Sequence, residues 1–355
     1  MGVDVRMIEH SGIGTYIQNL LPLFIQNNKS IQFYLLGSKE VLKKYEWSEE
    51  ENVDIINFEA PIYSIREQIL FPFTIPKNLD LFWSPHYNIP LLYSNRLITT
   101  IHDILPIAFP DYRKSKIRFA YAKFMYQKAI SKSDKIICDA EFTISEIQKY
   151  LKMPKEKATA IYIGVAPFWK SEHPRNPQKE KPYLLTVGVL KPHKNFSGLI
   201  KAFKTLEENN KYELVIVGDR EKLKKSDPSL NEYFNDGNSN IKFTGFITNE
   251  ELKELYSKAS AFIFPSFYEG FGLPALEAMA MHCPVICSNT SSLVEIFSEA
   301  ANCFNPYDTE DMAKTISNTL ANPELQDEMV KKGDLFVEKL NWKSCYDKTK
   351  EVFFS

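Results

Sequence analysis

Short apolar runs of strand length alternate along this chain with longer stretches of helical periodicity. GVDVR, IQFYLLG, VDIINF, DLFWS, RLITTIH, KIICDA and TAIYIG come first. Their β-branched and aromatic content predicts strands buried on both faces, hence a parallel sheet covered by helices. The rhythm breaks at APFWKSEHPRNPQKEKP, Ala166 to Pro182, where four prolines and many charges stand without periodicity. That composition predicts a linker. It restarts with YLLTVGVL, YELVIVGD, IKFTGF, SAFIFPS and PVICSN. The chain therefore reads as α/β, with two doubly wound Rossmann-like domains in tandem and a ligand cleft expected between them. The expected bounds are 1–165 for the first domain, 166–182 for the linker and 183–340 for the second. Residues 341–355 are expected to form a helix that packs back on the first domain.

Length and composition agree with two domains: 355 residues at 44% apolar content can bury sizeable cores. A net charge of −2 gives no bulk electrostatic reason to bind nucleic acid. The five cysteines, Cys138, Cys283, Cys287, Cys303 and Cys345, are odd in number, scattered and without a paired metal spacing. They read as reduced thiols of a cytosolic protein; Cys283 and Cys287 flank PVI and read as packing around a buried strand rather than as metal ligands. No apolar run approaches the ~20 residues that span a bilayer, and the N-terminus lacks a signal-peptide pattern. Arg6 stands where myristoylation wants a hydroxyl residue.

The chemistry is densest in PSFYEGFGLPALEAMAMHCPVICSN, Pro265 to Asn289. AFIFPS ends a strand, YEGFGLP is a loop, and Pro274 is expected to open a helix, because its missing N–H costs nothing at the first helical position. Glu269 then lies in the loop and Glu277 in the first helical turn. Gly270 and Gly272 let the backbone approach a ligand beside a helix N-terminus, where an anion is favoured. Each glutamate alone reads as an ordinary loop or helix-start residue; the constellation reads as a grip on sugar hydroxyls beside a phosphate. Two other loops follow strands directly, VGVLKPHKN and TIHDILP. Doubly wound folds build their sites at such carboxyl ends. HSGIGTYIQNL places Gly12 and Gly14 between the first strand and first helix, with Ile17 where a dinucleotide fingerprint has its third glycine.

PSFYEGFGLPALEAMAMHCPVICSNTSSLVEI resembles the E-x7-E signature of retaining glycosyltransferases of family 4, which have the GT-B fold of two Rossmann-like domains. GVDVRMIEHSGIGTYIQNLLP, FWSPHYNIPL, TIHDILPIAFP, IYIGVAPFW, VGVLKPHKNF, FTGFITNEELKELYSKASAFIFPS and ANCFNPYDTEDMAKTI are similar to family segments in the same order, so the likeness covers nearly the whole chain.

The resemblance implies that Glu277 holds the ribose hydroxyls of a nucleotide-sugar donor and Glu269 the hydroxyls of the transferred sugar. The amides from Gly270 through Phe271 and Gly272 to Leu273 would face the sugar and diphosphate. It makes Lys194 the phosphate ligand, a fixed cation against the charge that develops on the leaving group. His193 stands where relatives commonly have arginine, and Lys191 is a further cation nearby. His102 would support the reacting sugar through its carbonyl or its ring, and Gly14 would lie in a loop closing over the diphosphate. Ala140 replaces a serine common in relatives, so the acceptor pocket is expected to differ. The resemblance assigns no protein nucleophile, no cofactor and no metal, because a helix N-terminus and Lys194 can neutralise the diphosphate.

The resulting reading is a retaining, metal-independent glycosyltransferase. GDP-mannose is the expected donor, and the hydroxyl of a glycan or lipid-linked molecule the acceptor. A sugar-nucleotide 2-epimerase of the same fold and a catalytically silent nucleotide-sugar-binding subunit are the alternatives. Tyr112 to Lys135 carries eight Lys or Arg, one acid and five aromatics. This mixture suits either the surface of an anionic membrane or a solvated helix with its aromatics in the core; the expected location is cytoplasmic, with a peripheral position at the inner face of the membrane following from the first of these alternatives.

Overall fold

The computed structural model describes all residues except 171–175, 179, 207–210 and 222–239. The chain forms two compact units, Met1–Gly164 together with Trp342–Ser355, and Val165–Asn341.

The first unit is built on a sheet of seven strands: β1 (Gly2–Asp4), β2 (Phe33–Gly37), β3 (Val53–Asn57), β4 (Phe82–Ser84), β5 (Leu97–Ile101), β6 (Lys135–Cys138) and β7 (Ala158–Ala160). Their order is β3-β2-β1-β4-β5-β6-β7, and every pair is parallel. Parallel strands need crossovers. Four of the covering helices matter below: α1 (Ser11–Asn27), α2 (Ile65–Thr74), α3 (Lys116–Lys132) and α4 (Glu141–Leu151). The central strands β4 (FWS) and β5 (LITTI) are buried at every position, Ser84 included, as strands covered on both faces are.

The second unit repeats the plan with β8 (Tyr183–Val187), β9 (Glu213–Val217), β10 (Ile241–Phe243), β11 (Ala261–Phe264), β12 (Val285–Ser288) and β13 (Asn302–Phe304), in the order β10-β9-β8-β11-β12-β13 and again parallel. Its helices include α5 (Asn249–Lys258), α6 (Leu273–Ala280) and α7 (Ser291–Phe297). The start of α5 is fixed by a capping box: Thr248 Oγ1 accepts from the Glu251 amide, and Glu251 accepts from the Thr248 amide.

The unit boundary falls at Gly164–Val165, before the proline-rich segment that the sequence suggested as a linker. The described part of that segment is tied to the second unit. Trp169 is buried edge-on against Tyr256, Lys253 donates to the Phe168 carbonyl, and the Gln178 amide donates to the Lys258 carbonyl. Residues 171–175 and 179 of the segment lie outside the described residues. The terminal helix α8 (Trp342–Phe354) belongs to the first unit, where Phe353 stacks on Phe24 at 4.8 Å and meets Trp83 at 5.2 Å. All three rings are fully buried, and truncating one to alanine typically costs about 3–5 kcal/mol.

Gly12 and Gly14 do not form a loop, as the sequence suggested; both lie in the first turn of α1. A Cβ at Gly14 would sit 2.4 Å from the Ile8 carbonyl oxygen, whereas one at Gly12 would meet nothing within 4 Å. Gly14 therefore permits the start of α1 to pack against the chain leaving β1. All five cysteines are free thiols. Cys283 and Cys287 are buried around β12, and Cys287 faces Cys303 of β13 across the ladder.

Candidate functional site

In each sheet the chain order reverses beside the first strand, between β1 and β4 in one unit and between β8 and β11 in the other. Loops leaving the carboxyl ends of such strands diverge and form the crevice of a doubly wound sheet. The two units treat this position differently.

In the second unit, the loop after β8 carries His193 and Lys194, and the loop after β11 carries Glu269. Lys194 Nζ lies 2.6 Å from Glu269 Oε1, with both side chains mostly buried, and 5.3 Å from the centre of the Phe264 ring. The Phe267 amide donates to the His193 carbonyl, giving a second tie between the same loops. The Glu269 loop is held from behind by the chain entering α7. Ser291 Oγ accepts from the Glu269 amide, while Ser292 Oγ donates to the carbonyls of Glu269 and Phe271. Gly272, with φ of 117°, caps α6 in a left-handed conformation. A Cβ there would approach Leu293 and Phe297 to 2.8 Å, so glycine is required twice over. The helix starts at Leu273, with Pro274 second, which puts Glu277 one turn into α6 rather than in its first turn. The N-terminus of α6 thus sits directly after Glu269, Gly270 and Phe271, and it presents a partial positive charge there.

The electrostatics separate the site residues. His193 is buried, and burial together with the charges of Lys194 and Lys191 lowers its pKa to about 3. It is a neutral packing residue at physiological pH, which leaves Lys194 and Lys191 as the cations of the loop. Burial pushes Glu277 up to about 7, against the bond from the Tyr256 hydroxyl at 3.3 Å. The same edge carries an open cavity of about 350 Å³ lined by Gly218, Asp219, Arg220, Ile241, Phe243 and Phe246 among others. Phe246 is 93% exposed.

In the first unit the reversal point is filled. Asp4 at the end of β1, Arg6, Glu67 of α2 and His86 after β4 form one buried network: Arg6 to Asp4 at 2.6 Å, Arg6 to Glu67 at 2.7 Å and His86 to Asp4 at 3.1 Å. Arg6, also packed on the rings of Phe58 and Phe71, holds the Asp4 carboxyl far below its ordinary range despite the opposing effect of burial. His102 follows β5 on the same edge. Its Nδ1 lies 2.7 Å from Asp139 Oδ2 and its Nε2 lies 3.0 Å from the Pro85 carbonyl. Both ring nitrogens are thereby engaged, which leaves the carbonyl as the group His102 can offer; Thr143 Oγ1 already donates to it at 3.3 Å.

The structure thus gathers His193, Lys194, Glu269, Gly270, Phe271, Gly272, Leu273 and Glu277 on one sheet edge of the second unit. His102 and Gly14 belong to the first. Tyr256, Ser291, Ser292 and Asp139 escape sequence reasoning because their partners are distant along the chain; only TSSLVEI, adjoining the glutamate block, hinted at two of them. Among the described residues, no group of three or more His, Cys, Asp or Glu could hold a metal ion.

The doubly wound units are those of the GT-B fold. Residues 167–336 match the family model described as "Glycosyl transferases group 1", and the chain belongs to that family. It is 28% identical over 285 residues to O-antigen chain mannosyltransferase B of Escherichia coli, across 76% of this chain and 72% of that one. It is 32% identical over 247 residues to the O-antigen chain mannosyltransferase RfbU of Salmonella typhimurium, across 68% and 65%. The structure of Anabaena HepE in complex with UDP-glucose superposes with a TM-score of 0.75 at 14% identity, covering 99% of this chain and 98% of that one.

Glu277 gives a test of the site's electrostatics. An acid whose pKa is raised by folding weakens the folded state progressively between its unfolded value, near 4.5, and its folded value, near 7. Glu277→Gln should therefore raise the melting temperature at pH 8, by a few degrees on the scale of about 2–4 °C per kcal/mol for a domain of this size, and leave it nearly unchanged at pH 4.5. Equal melting temperatures of the two proteins at pH 8 would show that the carboxylate is not held at a cost.

Proposed function

We propose that this chain transfers mannose, with retention of configuration and without a metal ion, from GDP-mannose to a hydroxyl of a glycan or lipid-linked acceptor. The observation that carries the reading is the Lys194–Glu269 pair at the strand-order reversal of the second unit, beside the N-terminus of α6. Lys194 and that helix terminus together offer positive charge to a diphosphate. A diphosphate that takes Lys194 frees Glu269 for the sugar hydroxyls, and Glu277 is placed for the ribose. The cavity beside Phe246 is the subsite for the base, with room and an aromatic face for it. The names of the two mannosyltransferase relatives support the sugar; HepE, solved with UDP-glucose, makes UDP donors the necessary comparison.

The test is transfer of labelled sugar from GDP-mannose and from UDP-glucose to lipid-linked and free glycan acceptors, with and without EDTA. Transfer from GDP-mannose that survives EDTA is expected. Loss of activity in EDTA with recovery on adding magnesium or manganese would contradict the metal-free route, and use of UDP-glucose alone would contradict the donor. Conversion of the donor sugar without any acceptor would point to an epimerase. At saturating donor, Lys194→Ala should lower kcat by roughly 10²–10³, the scale of one lost oxyanion donor. Glu277→Ala should mainly raise the donor KM, because ribose contacts are similar in ground and transition states.

A membrane-facing acceptor side is part of this proposal. In α3, Tyr126 and Met125 are buried, but Ile117 and Phe124 face solvent among Lys116, Arg118, Lys123 and Lys128. In α2, Ile65, Ile69 and Phe73 recur every four residues and are 80%, 60% and 86% exposed. Both helices contribute to one core cluster, through Phe71 and Met125, so their exposed apolar side chains flank the same core. Apolar side chains set among basic ones suit an anionic bilayer, where each basic residue near the surface adds about 1 kcal/mol. The chain should sediment with anionic liposomes at low salt and be released by salt, and Ile69→Asp/Phe73→Asp should weaken binding. Sedimentation that is absent, or indifferent to salt, would contradict it.

A further inference from the structure

Three strands adjacent in the first sheet, β4, β5 and β6, end one residue before Pro85, His102 and Asp139 respectively. The His102 ring joins all three ends. Its Nε2 meets the Pro85 carbonyl and its Nδ1 meets the Asp139 carboxylate. A carbonyl oxygen only accepts, so Nε2 must carry a hydrogen. A bare Nδ1 would place a lone pair 2.7 Å from a carboxylate oxygen, so a proton must lie there as well.

We propose that His102 is held as a doubly protonated imidazolium crossbar by Asp139, and that Asp139 acts as a positioning residue for sugar transfer by fixing the His102–Asp103 backbone at the carboxyl edge. This inference rests on the transferase reading for its functional half only.

Three further observations support it. Asp139 is 3% exposed and its Oδ1 has no hydrogen-bond partner, so the ring proton compensates its carboxylate; a neutral ring would leave that buried carboxyl either protonated or charged without a partner. The groups facing the ring are Tyr16 of α1, edge-on at 4.9 Å, together with Asp139 and Asp103, so the nearby charges are both acidic. Cys345 of α8 and Glu141 of α4 stand near Asp139 and Cys138, and a cation that acts on Cys345, Lys348 of the same helix, is exposed to solvent. Burial by itself would lower the ring's pKa, but the charge and bond of Asp139 and the bond to Pro85 leave it raised. The loop is pinned further where Tyr126 donates to the Asp103 carbonyl and the Leu105 amide donates to Asp103 Oδ1. A ring so employed cannot serve as a base, and its contribution to a substrate passes through the backbone it orients.

For a raised histidine the contribution is full below the ordinary pKa near 6.5 and is lost as pH rises through the folded value. Activity should therefore fall on the alkaline side as the crossbar discharges.

Nitrogen-15 NMR of histidine-labelled full-length protein tests the charge without any substitution at Asp139, with His102→Gln identifying the signal. Both ring nitrogens should be protonated at pH 7.5; a ring with one protonated nitrogen would overturn the crossbar. In Asp139→Asn one ring nitrogen should lose its proton at that pH. The variant's kcat should fall roughly 10- to 100-fold, the scale of an ångström-sized misplacement, with the donor KM little changed. Asp139→Glu should recover part of the loss. A folded Asp139→Asn with wild-type kcat would overturn the positioning role. Wild-type protein with both protons but no sugar transfer would sink the transferase reading alone, whereas transfer by a protein with a singly protonated ring would sink the crossbar alone.

Discussion

Both sheets are parallel throughout, and this one constraint decides where function can reside. Each strand must be followed by a crossover, so the loops that leave carboxyl ends collect on one edge, and at the order reversal they part. The reversal is the only place on such an edge where adjacent strands send their chains to opposite faces. In the first unit it is occupied by the buried Asp4, Arg6, Glu67 and His86 network, whose charges satisfy one another. In the second it is bridged by Lys194 and Glu269, which are mostly buried but remain partly open to solvent. One reversal point is sealed and the other is available.

The available site is balanced at rest. Lys194 is neutralised by Glu269, and His193 is kept uncharged by burial and by its lysine neighbours. A buried cation without a partner would be strongly destabilising, so Glu269 makes Lys194 tolerable in the empty chain. The same contact sets a condition on ligand binding: a diphosphate must compete with a carboxylate already 2.6 Å from the ammonium. The proposed donor answers that condition, because it brings the anion for Lys194 and hydroxyls for Glu269 together.

Much of this was legible in the residue pattern, and the failures have physical causes. Buried parallel strands leave near-continuous apolar runs, so β1 to β12 stand out, while β13 lies in ANCFNP, where Asn302 and Asn305 leave only two apolar residues in a row. The glutamate block is local in sequence and could be read as a turn and a helix start; the start was placed one residue late, at Pro274 instead of Leu273, because Gly272 caps the helix in a left-handed conformation. Gly14 looked like a ligand loop, but its explanation lies in the Ile8 carbonyl against which α1 packs. The pairs that define the chemistry are separated by 75 residues for Lys194 and Glu269 and by 37 for His102 and Asp139. Such contacts exist only once the sheet order is known. The charge of His193 was equally hidden, since burial decides it.

We propose that Lys194 is the diphosphate ligand and that Glu269 competes with the diphosphate for it. Calorimetric titration of GDP into wild-type protein and into Glu269→Gln tests this without any sugar or chemistry. Because the glutamine no longer competes for the ammonium, the variant should bind GDP more tightly, up to about tenfold or 1.4 kcal/mol. Unchanged or weaker GDP binding by a folded Glu269→Gln protein would contradict the account.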